Sequence, residues 1–260
     1  MVKSQTQKQI LYFDKKGLWE AEVTRPRHFG RLYGFLIDYK MQRMKELVGE
    51  SLNGKNVLNV CCGSGMEAEY FANFGARVTG VDISLGAVKG ARIRSGRFGF
   101  KLRALVADAE SLPFKPESFD FVFTHDGLHH LLHPEKGIGE MARVTKRSIF
   151  FTEPADAFVT KLAVRLGFSA SYEESGNLVQ RLNVSRLKVL FEQLGVGPSR
   201  FLRYGMWYAH YPPKWFRLFE NELLFGLLKV FFHLGNGMLG RFGNKLVTVT
   251  WKDRTKMKEG

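Results

Sequence analysis

Apolar and polar residues between positions 56 and 84 follow an order that predicts strand, turn, helix and strand. Asn56–Cys61 and Arg77–Val81 are short apolar runs typical of buried parallel strands. Met66–Phe74 has the composition of a helix, and Gly75 is a natural helix terminator. The stretch therefore predicts one unit of a parallel α/β sheet.

The same alternation continues along the chain. Further strands are predicted at Leu102–Ala107, Phe119–Thr124, Ser148–Thr152, Phe201–Trp207 and Leu246–Trp251. Further helices are predicted at Leu85–Arg94, with Gly96 and Gly99 ending it, and at Pro134–Lys146, Ala155–Gly167 and Ser185–Leu194. Because strands and helices alternate, the expected fold class is α/β with a doubly wound, mostly parallel sheet.

Two segments do not belong to this alternation. Residues 1–53 precede the first core strand, and the apolar spacing around Lys40–Val48 predicts an amphipathic helix. This N-terminal helical cover could close an active site from above or form a strap packed on the sheet. Residues 208–243 form an aromatic, helical insertion before the last strand. Its most apolar part, Leu223–Leu234, is shorter than the ~18–20 residues that a membrane-spanning helix needs.

Composition limits the partners and the location. The chain has 260 residues and a net charge of +14, which favours nucleic acid, a membrane surface or an acidic substrate as partner. The densest basic patch, Ile83–Ala107, is interpreted as a solvated helix face and loop. Cys61 and Cys62 are adjacent, so neither a disulfide nor a metal site is expected. The N-terminus lacks the apolar region of a signal peptide, and we expect a cytoplasmic protein, peripheral at the membrane if the insertion binds lipid.

A ligand site is predicted where the first two strands end. The turn Cys62–Gly65 lets a ligand approach bare backbone, and Asp82 ends the second strand. Ligands bind at this edge of open α/β sheets, and a carboxylate there can accept hydrogen bonds from ribose hydroxyls. The site therefore suits a nucleoside cofactor. The spacing Gly63-x-Gly65-x-x-Ala68 also satisfies the loose dinucleotide fingerprint, so this turn alone leaves two cofactors open.

The sequence around Asp108 distinguishes between these two cofactors. Asp108 follows the third strand and is followed by AESLPF and then by SFDFVF. Together with VLNVCCGSG, GVDIS and HHLLHPEKGIGEMARV, these motifs resemble the class I S-adenosylmethionine-dependent methyltransferases. The nearest group is the small-molecule one that includes the ubiquinone and menaquinone methyltransferases. The resemblance covers residues 55–153, and the order of elements extends it to 251. It implies a Rossmann-like sheet of seven strands with an antiparallel last strand, within a methyltransferase domain over residues 54–260.

The resemblance also implies roles for matched positions in binding S-adenosyl-L-methionine. Gly63 and Gly65 would lie against its methionine and ribose portion, Asp82 would bind the ribose hydroxyls, and Asp108 the adenine amino group. The backbone of His125 would lie beside the sulfonium. The full set of cofactor-binding candidates is Asn59, Cys61, Gly63, Ser64, Gly65, Asp82, Ile83, Asp108, Ala109 and His125.

Two of these positions depart from the family pattern. Asn59 stands where the family usually has Asp or Glu, and Cys61 stands where it usually has Gly. Asn59 can still accept a hydrogen bond from the cofactor's ammonium group, although a charge-assisted bond is stronger. The departures therefore bear on cofactor affinity more than on fold.

Methyl transfer is an in-line displacement, so the enzyme mainly aligns the acceptor and excludes water. A base is needed only where the acceptor must lose a proton, and histidine is the natural choice near neutral pH. The catalytic candidates are His125, His129, Glu153 and Glu174. The substrate-binding candidates are Tyr33, Tyr172, Asn177 and His210.

The expected function is methyl transfer to a small-molecule or lipid-like acceptor. The insertion 208–243 suits a lid, a peripheral membrane contact or a homodimer surface. A tRNA or RNA methyltransferase is the alternative that the charge favours. Against nucleic acid as a partner, residues 124–127 read Thr-His-Asp-Gly rather than Asn/Asp-Pro-Pro-aromatic, and no RNA-binding module is appended. A cofactor-binding protein without catalysis is the third hypothesis.

Overall fold

Seven strands form one mixed sheet in the computed structural model, which describes residues 5–15, 30–165, 172, 179–206 and 214–252. The strands are β1 Asn56–Val60, β2 Arg77–Asp82, β3 Leu102–Val106, β4 Phe119–His125, β5 Thr145–Pro154, β6 Val196–Tyr204 and β7 Lys245–Lys252. Their order in the sheet is β3-β2-β1-β4-β5-β7-β6. Strands β1 to β5 pair in parallel, and β7 is antiparallel to both β5 and β6. The predicted seven-stranded sheet with an antiparallel last strand is confirmed.

Eight helices are found in the described part of the chain. They are α1 Gln5–Lys15, α2 Gly30–Val48, α3 Met66–Asn73, α4 Leu85–Phe98, α5 Pro134–Val144, α6 Phe158–Arg165, α7 Val184–Gln193 and α8 Glu222–Leu239. Helix α4 passes through Gly96, so the prediction that Gly96 ends it is wrong. Only Gly99 has the left-handed conformation, with φ of 70°, that ends a helix.

Strand β6 begins five residues before the predicted Phe201. Ser199 to Tyr204 pair with Lys245 to Thr250 of β7. Because β6 is an edge strand, its half-exposed face tolerates serine and arginine. These polar residues at the start of the strand look like a loop when only the sequence is read.

The side chains of successive strand residues enter two hydrophobic cores on opposite faces of the sheet. On one face, Val57 and Phe123 pack with residues of α2 and α3. On the other face, Leu58 and Val122 pack with residues of α5 and α7. Helix α2 therefore shares its core with the sheet, as the strap interpretation of the N-terminal segment expects. The division of the chain at residue 53 stays a prediction.

Helix α8 is longer than its apolar centre indicated. Asn236 holds its last turns in place, because its side chain accepts a hydrogen bond from Gly205 N at 2.6 Å and donates one to Gly205 O at 3.1 Å. With the short 3₁₀ turn that follows, Glu222–Phe242 is 21 residues long, and its length and composition would allow it to cross a membrane. This finding corrects the prediction that the apolar segment is too short. One side of α8 packs on α2, where Phe232 meets Phe35 with ring centroids 5.2 Å apart.

Candidate cofactor and acceptor site

The turn between β1 and α3 is built from positive φ angles. Gly63 has φ of 50° and Gly65 has φ of 80°. A Cβ at Gly65 would lie 3.1 Å from Cβ of Ala91, so α4 closes the turn from behind. Cys61 has φ of 51°, the left-handed conformation that glycine adopts more easily. The backbone at Cys61 thus has a conformation that suits glycine while carrying a side chain.

Two carboxylates lie at the same sheet edge as this turn. Asp82 accepts hydrogen bonds from the backbone N–H of Gly63 and of Ser84, each at 2.9 Å. Asp108 follows the neighbouring strand β3 and accepts one from Glu110 N at 2.8 Å. Because β2 and β3 are parallel neighbours, both acidic side chains follow strands that end at one edge. The structure therefore brings together the turn, Asp82 and Asp108.

Asn59 is a buried polar residue close to this turn. It is 1% exposed, and neither its amide nitrogen nor its amide oxygen has a hydrogen-bond partner among the described residues. Leaving such a group unpaired costs about 1–3 kcal/mol. A ligand with an ammonium group would give the amide oxygen a donor, so the residues present fit the methionine end of S-adenosylmethionine.

Helix α1 bridges two loops at this edge. The Asp14 carboxylate accepts hydrogen bonds from Ser84 Oγ at 2.5 Å and from Gly86 N at 2.8 Å. At the other side, Gln9 Nε2 donates to the carbonyl oxygen of His130 at 2.8 Å. Helix α1 therefore ties the loop after β2 to the loop after β4. The interpretation of the N-terminal segment as a cover suits α1, while the strap interpretation suits α2.

A second group of polar side chains lies where β4 ends, on the side of the sheet that α2 and α3 cover. His125 Nδ1 is 2.6 Å from Oε1 of Glu67, and its Nε2 is 2.8 Å from Nζ of Lys40. Nε2 also lies 3.1 Å from Oδ2 of Asp126. Lys245 Nζ donates to both Asp126 carboxylate oxygens at 2.6 Å. We call these five residues the His125 cluster.

Burial and neighbouring charges oppose each other in this cluster. Burial and the Lys40 ammonium disfavour the charged imidazole, but the carboxylates of Asp126 and Glu67 outweigh them and raise the pKa of His125. Burial would raise the pKa of Asp126, yet Lys245 and His125 hold it well below its usual range. For Glu67 burial is likewise outweighed, here by His125, and its pKa is lowered.

His129 and Glu153 form a separate pair. Glu153 is fully buried, and its Oε1 accepts the N–H groups of Gly127 and Leu128 at 2.8 and 2.7 Å. Its Oε2 lies 2.7 Å from Nδ1 of His129. These contacts hold the loop after β4 in place, and a catalytic role for His129 or Glu153 stays a prediction. Ligand atoms of Asp126, His129 and Glu153 lie within 4.8 Å of one another. Their carboxylate oxygens already accept hydrogen bonds from Lys245, His129 and the backbone, so we assign no metal there.

Of the remaining catalytic and substrate candidates, the structure describes two, which differ in exposure. Tyr33 is buried on α2, and Tyr172 is 65% exposed. Glu174, Asn177 and His210 lie outside the described residues. The sequence interpretation missed Lys40 and Glu67. A lysine on the otherwise apolar side of α2, between Leu36 and Met44, was the signal that could have revealed the first.

Both cysteines are unpaired, and burial is the main reason that the pKa of each thiol is raised well above its ordinary value. Neither thiol is therefore poised as a nucleophile.

The sheet order, the glycine-containing turn after β1 and the carboxylates after β2 and β3 define a Rossmann-like methyltransferase fold. Residues 58–151 match the family described as "Methyltransferase domain". A demethylmenaquinone methyltransferase of Renibacterium salmoninarum is 36% identical over 108 residues, 40% of this chain and 44% of the relative. A ubiquinone biosynthesis O-methyltransferase of Bordetella parapertussis is 34% identical over 105 residues, 39% of this chain and 44% of the relative.

The chain thus matches less than half the length of these curated relatives. Among solved structures, magnesium protoporphyrin IX methyltransferase from Synechocystis, with bound S-adenosylhomocysteine (SAH), superposes with a TM-score of 0.62. That comparison covers 93% of this chain and 97% of the other at 16% identity. At this identity the likeness shows the fold alone.

Proposed function

We propose that this protein transfers a methyl group from S-adenosyl-L-methionine to a small, lipid-like acceptor. One observation carries the proposal: the matched methyltransferase domain coincides with the sheet edge where the Gly63 turn, Asp82 and Asp108 meet. Asp82, already oriented by two backbone N–H groups, would bind the ribose hydroxyls. Asp108 would accept from the adenine, and Asn59 from the ammonium group.

The bound cofactor supplies a methyl group on positively charged sulfur, and the chain contributes alignment and exclusion of water. Helix α1 closes the edge by tying Ser84 to His130 through Asp14 and Gln9. The His125 cluster lies beside the cofactor turn, because Val60 at the end of β1 pairs with Thr124 of β4. An acceptor held between α2 and the end of β4 would therefore meet the methyl group beside His125.

Two features support a lipid-like acceptor. The curated relatives named above act, by their names, on demethylmenaquinone or in ubiquinone biosynthesis, and both names point to quinone chemistry. In this chain, α8 presents an exposed apolar stripe at helical spacing, on the side opposite its contact with α2. The stripe consists of Leu223, Leu227, Val230, Phe231, Leu234 and Met238.

The stripe supports a peripheral contact of α8 with a membrane, for which we propose the cytoplasmic face. Lysine and arginine outnumber acidic residues in the surrounding described segment, with Lys214, Arg217, Lys229 and Arg241 against Glu220 and Glu222. Apolar side chains flanked by basic ones suit an anionic lipid surface. Because Phe225 and Phe232 pack on Phe35 of α2, we propose that α8 lies in the interface rather than crosses it. A homodimer through the same stripe is the competing outcome.

The test uses methyl-labelled S-adenosylmethionine, the purified protein and a deproteinised extract of the source cells. The products are separated into organic, aqueous small-molecule and RNA fractions. Label in the organic fraction is the expected result. Label in RNA would instead show that the acceptor is a nucleic acid, and the net charge of +14 would then serve to bind it. If SAH binds but no fraction is labelled, the chain is a cofactor-binding protein without catalysis. Asn59 and Cys61 would then be the sequence departures that distinguish it.

A further inference from the structure

The His125 cluster joins five ionisable side chains from four parts of the fold. Lys40 comes from α2, Glu67 from the first turn of α3, His125 and Asp126 from the end of β4, and Lys245 from the start of β7. Lys40 and Glu67 are 4% and 8% exposed. Pairing repays only part of the desolvation cost of buried charges, so stability alone does not account for a group of this size.

The cluster lies against the cofactor turn. A Cβ at Gly127 would come 2.5 Å from Cβ of Cys61, so the loop after β4 and the turn after β1 are in direct contact. On the other side, Tyr204 of β6 is buried beside the cluster, and burial, followed by the charge of Asp126, raises its pKa well above the ordinary value. Its ring meets Tyr39 of α2 at 5.4 Å. Tyr39 in turn meets Phe232 of α8 at 4.9 Å.

We propose that His125 is the group that takes the proton from the methyl acceptor, with Glu67 as its orienting carboxylate and Lys40 as the cation beside the acceptor oxygen. The proposal rests on the proposed function and deepens it, since it requires an acceptor that carries an ionisable hydroxyl. The Glu67 carboxylate favours the tautomer that carries its proton on Nδ1, and in that tautomer Nε2 presents the lone pair that a histidine base requires.

The proton step balances within the cluster. The acceptor hydroxyl takes the place of the Lys40 ammonium at Nε2, and its O–H bond breaks as Nε2 gains the proton. The electron pair stays on the acceptor oxygen and would form its new bond to the methyl carbon as the bond between that carbon and sulfur breaks, the electrons of the broken bond passing to sulfur. One positive charge is lost from the sulfonium donor, and one appears on the imidazolium, where Glu67 and Asp126 stabilise it. Lys40 then faces the acceptor oxygen and favours its ionised form.

The first measurement needs no cofactor. NMR of protein labelled at the histidine imidazoles, with His125→Asn to assign the signal, gives the pKa of His125. We expect Glu67→Gln to lower that pKa, because a carboxylate is removed, and Lys40→Met to raise it, because a cation is removed. Unchanged titration in both variants would overturn the arrangement.

The second measurement links this titration to transfer of label into the extract fraction that the wild-type protein methylates. Only the neutral imidazole accepts a proton, so the acidic limb of the rate should move down in pH for Glu67→Gln and up for Lys40→Met. His125→Asn should lose about 100-fold or more in rate. His133→Asn is the matched control, because His133 is an exposed histidine outside the cluster, and its profile should stay unchanged.

Isothermal titration with SAH separates the two proposals and reports on folding. His125→Asn should bind it as the wild type does. A wild-type rate in His125→Asn, or an acidic limb that does not follow the NMR titration, would overturn the role of His125 while methyl transfer stands. If the wild-type protein labels no fraction, the proposed function fails, and the role of His125 fails with it.

Discussion

The exposed stripe on α8 yields the most direct test of membrane contact. Phe231 and Phe232 are neighbours in sequence, but the structure separates them. Phe231 is 69% exposed on the stripe, whereas Phe232 packs against Phe35 and Tyr39. The informative change is therefore Phe231→Ser combined with Leu227→Ser one turn earlier, because Phe232→Ser would disturb the contact with α2.

The expected loss follows from the exposed areas. A phenylalanine presents about 200 Å², so the exposed part of Phe231 is about 140 Å² and its full transfer from water is worth about 3.5 kcal/mol. Leu227, 48% exposed, presents about 85 Å² and adds about 2 kcal/mol at the same rate. An interfacial helix is only partly immersed, and halving the sum leaves about 3 kcal/mol, or about 100-fold in the vesicle partition coefficient.

The assay is co-sedimentation with vesicles that contain a fixed fraction of anionic lipid, at two salt concentrations. Val189→Ser removes a side chain that is 53% exposed on α7, away from the stripe, and should leave partitioning unchanged. Equal partitioning of the double variant and the wild type would refute the lipid contact. If the double variant instead converts a dimer to a monomer in light scattering, the stripe is a contact between two copies.

Three further outcomes are expected elsewhere in the molecule. Asp82→Asn should weaken SAH binding in calorimetry at least about 10-fold, because one acceptor oxygen at the cofactor edge becomes a donor; unchanged affinity would contradict the ribose assignment. Arg94→Met should cost about 3–5 kcal/mol in urea unfolding, because it leaves the Glu69 carboxylate buried without its guanidinium, and adding Glu69→Gln should recover most of that loss. Cys61→Gly should raise stability by about 1 kcal/mol, because glycine adopts the left-handed conformation without strain; a loss would contradict this account of the turn.

The end of the sheet where Asp82 and Asp108 lie was predictable from local sequence for a physical reason. In a parallel sheet, the residue that follows each strand comes to the same edge, so Asp82 and Asp108 could be placed once β2 and β3 were recognised. For the His125 cluster, the local signal beyond His125 itself was limited to a lysine on the apolar side of α2. Lys40 and Glu67 are separated from His125 by 85 and 58 positions, and only the packing of α2 and α3 on one face of the sheet joins them.

The basic segment after β2 shows why charge patterning alone misleads. Arg94 has the sequence context of a solvated helix face, yet it is 1% exposed. Its Nε donates to Oε2 of Glu69 on α3 at 2.9 Å. The apolar stem of an arginine can line a helix contact when a carboxylate meets its head group, and the partner's identity appears only once the two helices are packed.

Helix α2 contacts both helix α8 and the His125 cluster. Phe35 and Tyr39 touch α8, and Lys40, the next residue, reaches His125. Along a helix, Phe35 and Lys40 are separated by a rise of only about 7.5 Å of rigid backbone. The helix that α8 packs on is therefore the same helix that places the Lys40 ammonium beside Nε2 of His125.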